Sequence, residues 1–173
     1  MPATYTLIAS NTLSSAAASV TFSAIPNTYT DLVLRASART DAAQTRDSIY
    51  IEFNGVTTSY TNRFVRGTST LATSGTDTTG ISSPRGANAS TSTSNTFGSV
   101  EWYVPNYAGS GNKCVSVFGV QENNTTTANN ANIEAVAGLW SNTAAITSIV
   151  CKRLDGTNFV SGSSFFLYGI KNS

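Results

Sequence analysis

The chain is dominated by alternation of apolar and polar positions with a period of two residues. Residues 48–53 (SIYIEF) show it most clearly, because Ile49, Ile51 and Phe53 fall on one face while a tyrosine and a glutamate fall on the other. Residues 113–121 (KCVSVFGVQ) alternate in the same way. Successive side chains of a strand point to opposite faces of a sheet, so this period predicts β-strands.

Runs of this kind recur along the whole chain, and no segment carries a convincing helical stripe. They lie at residues 5–8, 20–23, 31–39, 48–53, 60–65, 99–104, 113–121, 133–140, 146–154 and 164–170. About ten short strands at this spacing are typical of a sandwich or a barrel. We see no internal repeat and no domain boundary. The pattern therefore predicts a single all-β domain over residues 1–173.

Turn signals separate several of these runs. Asn54-Gly55 directly follows the clearest strand and is a strong hairpin signal, so we expect the chain to return as a paired strand through residues 60–65. Asp155-Gly156 ends another run in the same manner. Both dipeptides favour the left-handed backbone that tight turns require.

Two segments depart from the strand pattern. Residues 67–95 are almost purely Ser, Thr, Gly, Ala and Asn, with Leu71 and Ile81 as their only large apolar side chains. Residues 122–132 form a shorter polar segment. We interpret both as loops, because neither composition can build its own core. A loop as long as 67–95 is uncommon in a compact domain, so it is either mobile or ordered against a second chain.

Composition narrows the range of functions. Lysine plus arginine is 10 and aspartate plus glutamate is 9, so the formal net charge is +1, and the chain has no histidine. The absence of histidine removes His-based acid–base catalysis, Ser-His-Asp triads and most zinc sites. A near-neutral chain argues against a nucleic-acid partner. The apolar runs are too short for a membrane span, and the start of the chain has no signal-peptide features.

No motif assigns chemistry to the polar side chains. The nine carboxylates are scattered without a supporting pattern, so we expect no catalytic residue, cofactor or metal. Asp41 and Asp47 are the best calcium candidates, but a polar loop explains them more simply. Arg35, Arg39 and Arg46 alternate with aspartates, which favours ion pairs over an anion site.

Two cysteines, Cys114 and Cys151, each lie inside an apolar run. We interpret them as two buried thiols that pack as small hydrophobic groups, because two cysteines do not make a disulfide framework. The alternative is one bridge between neighbouring strands. The sequence leaves that alternative open, because the bridge depends on which strands are neighbours.

Aromatic residues supply the candidates for an interface. Trp102 and Tyr103 are adjacent, so within a strand one points to the core and the other to the surface. Tyr and Trp are enriched in subunit interfaces. We name Trp102, Tyr103 and Tyr107, together with Leu71 and Ile81 of the 67–95 segment, as candidate interface residues. The alternative is that the aromatic residues are ordinary surface groups of a β-sandwich.

Several stretches resemble small virion proteins of tailed bacteriophages, particularly those of cyanophages and other aquatic phages. They are the opening at residues 5–41, FNG at 53–55, VPNYAGS at 104–110, GLWSNTAAITSI at 138–149 and NFVSGSSFFLYGI at 158–170. The resemblance covers nearly the whole chain apart from residues 67–95. It implies a β-sandwich or jelly-roll module of the particle, as found in capsid decoration proteins, tail components and fibre tips.

We therefore expect an antiparallel, jelly-roll-like β-sandwich that is a structural protein and not an enzyme. The leading expectation is a capsid decoration (cement) protein on the capsid surface of the virion, trimeric and bound to the phage major capsid protein. The alternative is a tail or fibre component that binds the host surface or its glycans. A small glycan-active enzyme is a third hypothesis, without a motif to support it.

Overall fold

The computed structural model describes residues 4–171. This part of the chain forms strands and turns only, and so it has no helix that could cross a membrane. The strands are β1 (Tyr5–Thr12), β2 (Ser19–Phe22), β3 (Asp31–Ala38), β4 (Arg46–Phe53), β5 (Tyr60–Gly67), β6 (Ala72–Asp77), β7 (Ile81–Asn88), β8 (Gly98–Val104), β9 (Lys113–Gln121), β10 (Asn132–Trp140), β11 (Ile149–Arg153) and β12 (Ser164–Ile170).

Eight of these strands have jelly-roll topology. They lie in the orders β1-β12-β3-β8 and β2-β11-β4-β7, and every pairing is antiparallel. Each early strand therefore pairs with a late one, as when a long hairpin is rolled into two facing sheets. The predicted antiparallel, jelly-roll-like β-sandwich is confirmed.

The other four strands extend one sheet. The hairpin β5–β6 is inserted between β4 and β7, and the hairpin β9–β10 follows β8. They continue the first sheet in the order β8-β9-β10-β5-β6, which gives an eight-stranded sheet facing a four-stranded one. The described chain thus has twelve strands, where the sequence pattern predicted about ten.

The predicted hairpin at Asn54-Gly55 is wrong, although the tight turn is present. Both residues have positive φ, 54° and 70°. However, β4 pairs with β7 and β11, whereas β5 pairs with β6 and β10. The Asn54 side chain explains the outcome, because it donates to the Ala145 carbonyl at 2.8 Å and accepts from the Thr147 amide at 2.8 Å. The turn is thereby anchored ahead of β11, and the chain crosses to the other sheet.

The predicted loop at residues 67–95 is also wrong, because it contains β6 and β7. Glycines allow β7 to pack closely against β8. A Cβ on Gly98 of β8 would lie 2.1 Å from the carbonyl oxygen of Gly86 in β7. Ile81 opens β7 and is fully buried, while Leu71 lies in the turn before β6 and is 55% exposed. Close approach and polar contacts therefore replace the large apolar side chains that strand prediction relies on.

The core lies between the two sheets. Trp140 packs against Phe53 and Tyr60, with ring centroids 5.4 and 6.1 Å away. Ile49, Ile51 and Phe53 are all fully buried, which confirms the face predicted for residues 48–53. Burial raises the pKa of Tyr60 to about 12, and its hydroxyl accepts a bond from the Phe53 amide at 2.8 Å.

Candidate functional site

The outer face of the eight-stranded sheet is the most distinctive surface of the protein. The strand register aligns one row of outward-facing side chains across six strands: Phe166, Arg35, Glu101, Phe118, Ala135 and Val65. Phe118 is 53% exposed and Val65 is 57% exposed. Single exposed apolar residues are ordinary, but a contiguous apolar patch marks a contact or binding site. We call this surface the outer face.

A groove runs across the outer face over β5, β8, β9 and β10. Its volume is about 630 Å³. Ala135 forms part of its floor between the larger Phe118 and Val65 on the neighbouring strands. Arg63 and Glu101 supply charge at its sides. The groove thus has an apolar floor and a charged rim.

Charged and aromatic side chains continue the outer face beyond the groove. Arg35 pairs with Glu101 at 2.7 Å in an exposed ion pair. The Arg35 guanidinium also lies over the rings of Tyr5 and Tyr168, at 5.6 and 5.8 Å from their centroids. The bond to Glu101 raises the pKa of Arg35 further above its ordinary value. These contacts fix Arg35 beside Glu101 and the two tyrosine rings.

Three of the five predicted interface residues are buried, so that prediction is wrong for them. Trp102 points inward and its indole nitrogen donates to the Ile81 carbonyl at 3.1 Å. Ile81 itself is fully buried. Tyr107 is buried as well, and its hydroxyl donates to the Pro26 carbonyl. Each of these side chains fills space within the fold, where a partner cannot reach it.

The other two predicted residues are accessible. Tyr103 points outward, as expected for the neighbour of an inward Trp102, and its hydroxyl donates to Asp31 at 2.9 Å. This hydrogen bond raises the pKa of Tyr103. Leu71 is exposed at the turn between β5 and β6, away from the residues that line the groove.

Sequence reasoning missed Phe118 and Val65, although a signal for Phe118 was present. The alternation in residues 113–121 places Cys114 and Ser116 on the same face as Phe118, opposite the buried Val115. Ser116 at the centre of one face and Val115 and Val117 on the other favour exposure of the serine face. Phe118 was therefore identifiable as an exposed aromatic residue.

The cysteines do not lie together. Cys114 is exposed on the outer face, and Cys151 is buried in the four-stranded sheet. Both thiols are free. The prediction of two buried thiols is wrong for Cys114, because it belongs to the solvent face of β9. Desolvation raises the pKa of the Cys151 thiol.

Most carboxylates stabilise the structure through fixed contacts. Asp41 accepts from the Asn158 amide at 2.7 Å, and these contacts lower the pKa of its carboxyl. Asp47 instead binds Arg153, a buried partner. The two candidate calcium ligands therefore face different partners. Residues 4–171 hold no cluster of three or more His, Cys, Asp or Glu side chains suited to a metal.

The three arginines of residues 31–46 also have different partners. Arg35 forms an ion pair, as predicted, but with Glu101 of β8 and not with a nearby aspartate. Arg39 donates to backbone carbonyls, including that of Thr93 at 2.8 Å. Arg46 donates to the side chain of Asn130 at 3.2 Å and to a neighbouring carbonyl. Ion pairing therefore accounts for one arginine of the three.

Comparison with known proteins adds little to this description. No protein-family model matches the chain, and no curated protein sequence matches it. Among solved structures, the exo-inulinase from Aspergillus awamori aligns with a TM-score of 0.46 and 13% identity, over 96% of this chain and 29% of that one. This chain therefore corresponds to under a third of that enzyme, and a likeness of this size carries no argument about activity.

Proposed function

We propose that the protein is a structural subunit of a bacteriophage particle, and specifically a capsid decoration protein that binds the major capsid protein through its outer face. The observation that carries the proposal is a jelly roll whose inserted hairpins widen one sheet to eight strands and leave an apolar groove on its outside. The resemblance of residues 5–41, 138–149 and 158–170 to phage virion proteins supports the same assignment.

The groove has the features of a protein contact site. Phe118 and Val65 lie on hydrogen-bonded strands, so little backbone conformational entropy is lost when a partner covers them. Aromatic anchors surrounded by a polar rim dominate the energy of many protein interfaces. Arg63 and Glu101 provide such a rim. We propose Phe118 as the central anchor, with Tyr103 and Leu71 as peripheral contacts.

The composition suits attachment to a particle exposed to changing salt. Only 11% of residues are charged, and the net charge is +1. Contacts that depend on apolar burial are less sensitive to ionic strength than contacts between exposed charges. Each bound copy would stabilise the shell by mass action, because it binds the assembled capsid and not its dissociated subunits. A closed trimer at a threefold position is the arrangement we propose.

The alternative is a tail or fibre component that binds a host glycan in the same groove. The position of the exposed Phe118 ring near Glu101 favours it, because sugar sites combine an apolar platform with a few orienting polar groups. A glycosidase is less favoured. It needs two facing carboxylates, whereas the described residues that line the groove include one, and that one is paired with Arg35.

Co-sedimentation with undecorated, tail-less phage heads tests the proposal, with the mass of the free protein measured by light scattering. We expect saturable binding at a fixed ratio to the major capsid protein and a trimeric mass. Absence of binding to heads would overturn the capsid assignment. Binding to purified tails or host cells would then support the alternative.

A further inference from the structure

Three arginines from three different strands converge beside β7, away from the outer face. They are Arg46 of β4, Arg66 of β5 and Arg85 of β7. Burial, followed by the charges of Arg46 and Arg66, lowers the pKa of Arg85. Burial and the charge of Arg66 lower the pKa of Arg46 in the same way. Within residues 4–171, none of the three has a carboxylate partner within ion-pair distance, since the ion pairs there involve other residues.

One buried carboxylate, Glu134, interacts electrostatically with Arg66 and Arg85. Glu134 lies directly across the β5–β10 ladder from Arg66 and is 1% exposed. One of its oxygens accepts from the Ser83 hydroxyl and from the Arg85 amide, while Oε2 has no hydrogen bond. Burial raises the pKa of Glu134. Glu134 therefore offsets part of the positive charge of Arg66 and Arg85.

An irregularity in β7 sets the position of Arg85. Asp47 pairs with Ala87, but Ile49 pairs with Ser83, so Pro84, Arg85 and Gly86 lie opposite one residue of β4. Bulges of this kind turn side chains out of the regular ladder and occur next to functional sites. Arg85 thus lies at the edge of the four-stranded sheet, and its side chain lines an open pocket.

The pocket beside the bulge is polar and has a volume of about 270 Å³. Its lining residues include Gln44, Arg46, Ser48, Arg85 and Asp155. Asp47 also lines it, but that carboxylate is already bound by Arg153, Thr40 and Gln44. The charge of Asp47 is therefore engaged by these partners and not by Arg46 or Arg85. We call this cavity the arginine pocket.

We propose that the arginine pocket binds one tetrahedral oxyanion, a sulfate or a phosphate group, between Arg46 and Arg85. Guanidinium groups recognise such anions through paired N–H donors. Arg46 and Arg85 both line the pocket, and the hydrogen bonds from Arg46 to Asn129 and Asn130 come from its Nη1. The charge of Arg66 acts on both arginines and adds to the positive field. The oxyanion comes either as a free ion or as an ester on a saccharide.

The site is separate from the groove and does not rest on the proposed attachment to phage heads. Titration calorimetry of the full-length protein with sodium sulfate and sodium phosphate, at ionic strength held constant with sodium chloride, measures it directly. We expect saturable binding of one anion per chain. Arg85→Gln and Arg46→Gln should each weaken that affinity at least tenfold. Arg63→Gln removes an arginine of the outer face and should leave it unchanged.

Thermal unfolding of each variant shows whether it is folded. If Arg85→Gln does not fold, Arg85→Lys keeps the charge without the paired donors and should still weaken binding. Glucose 6-sulfate, with glucose as its control, separates the two sources: tighter binding than sulfate indicates an ester, and equal binding indicates the free ion. No saturable binding beyond the chloride control, or equal affinity in wild type and Arg85→Gln, would overturn the proposal.

Discussion

The indole nitrogen of Trp102 donates a hydrogen bond to the carbonyl oxygen of Ile81 at 3.1 Å, and this bond joins the two sheets of the sandwich. Trp102 belongs to β8 in the eight-stranded sheet, and Ile81 belongs to β7 in the four-stranded sheet. Both residues are fully buried. The bond satisfies a donor and an acceptor that water cannot reach, so it is part of the core.

Replacing Trp102 with phenylalanine should destabilise the protein by about 1–3 kcal/mol, because the Ile81 carbonyl loses a buried donor. Tyr103→Phe is the matched control. It removes one hydrogen bond to Asp31, which still accepts from the Asn106 amide, and it should cost less than about 1 kcal/mol. Urea unfolding measures both. Equal losses would show that Trp102 is not a core residue.

Two ion pairs of different burial provide a second test. Asp47 and Arg153 are both almost fully buried, whereas Arg35 and Glu101 are exposed. Asp47→Asn should cost about 3–5 kcal/mol, because it leaves the Arg153 charge buried without its partner. Glu101→Gln should cost less than about 1 kcal/mol. Urea unfolding under identical conditions measures the free energy of unfolding of both variants. A larger decrease in Glu101→Gln than in Asp47→Asn would contradict the assigned burial.

Two glycines make a matched pair for the packing of β7. A Cβ on Gly98 would meet the Gly86 backbone, whereas a Cβ on Gly111 would meet no atom within 4 Å. Gly98→Ala should therefore lower the melting temperature markedly, by at least 5 °C. Gly111→Ala should leave it unchanged or slightly raised, since alanine reduces the entropy of the unfolded chain. A tolerated Gly98→Ala would mean that the two strands are not in contact there.

The two thiols should differ in reactivity. Cys114 is exposed, while Cys151 is buried with a raised pKa, so it forms the reactive thiolate poorly. A disulfide reagent such as DTNB should titrate one thiol in the native protein and two in urea. Cys114→Ser should abolish the fast native reaction. No native reaction in wild type would point to a Cys114 that is covered or oxidised.

Strand character was predictable because the period of two reports the face of each residue directly. In residues 48–53 and 113–121, successive side chains point to opposite faces of the sheet, as their alternation predicts. Pairing was not predictable in this way. Asn54-Gly55 makes the tight turn that its sequence favours, but contacts with residues 145–148, over ninety positions away, determine which strands become neighbours.

The missed strands and sites have a common physical cause. The sequence of β7 (ISSPRGAN) has one large apolar residue, and it becomes a buried strand because its serines bond to carboxylates and its glycine allows close packing. These partners lie in other strands. The arginine pocket was missed for the same reason, since Arg46, Arg66 and Arg85 are distant in sequence and meet only in the folded chain.

The central claim is that the outer face attaches the protein to phage heads, and a single substitution tests it most directly. Co-sedimentation with undecorated heads should be compared for wild type, Phe118→Arg and Leu154→Arg. Phe118 and Leu154 are exposed to a similar extent, but Leu154 follows β11 of the four-stranded sheet and does not line the groove. We expect all three to unfold at similar urea concentrations, Leu154→Arg to bind like wild type, and Phe118→Arg to bind at least tenfold more weakly. Undiminished binding of Phe118→Arg would contradict the account.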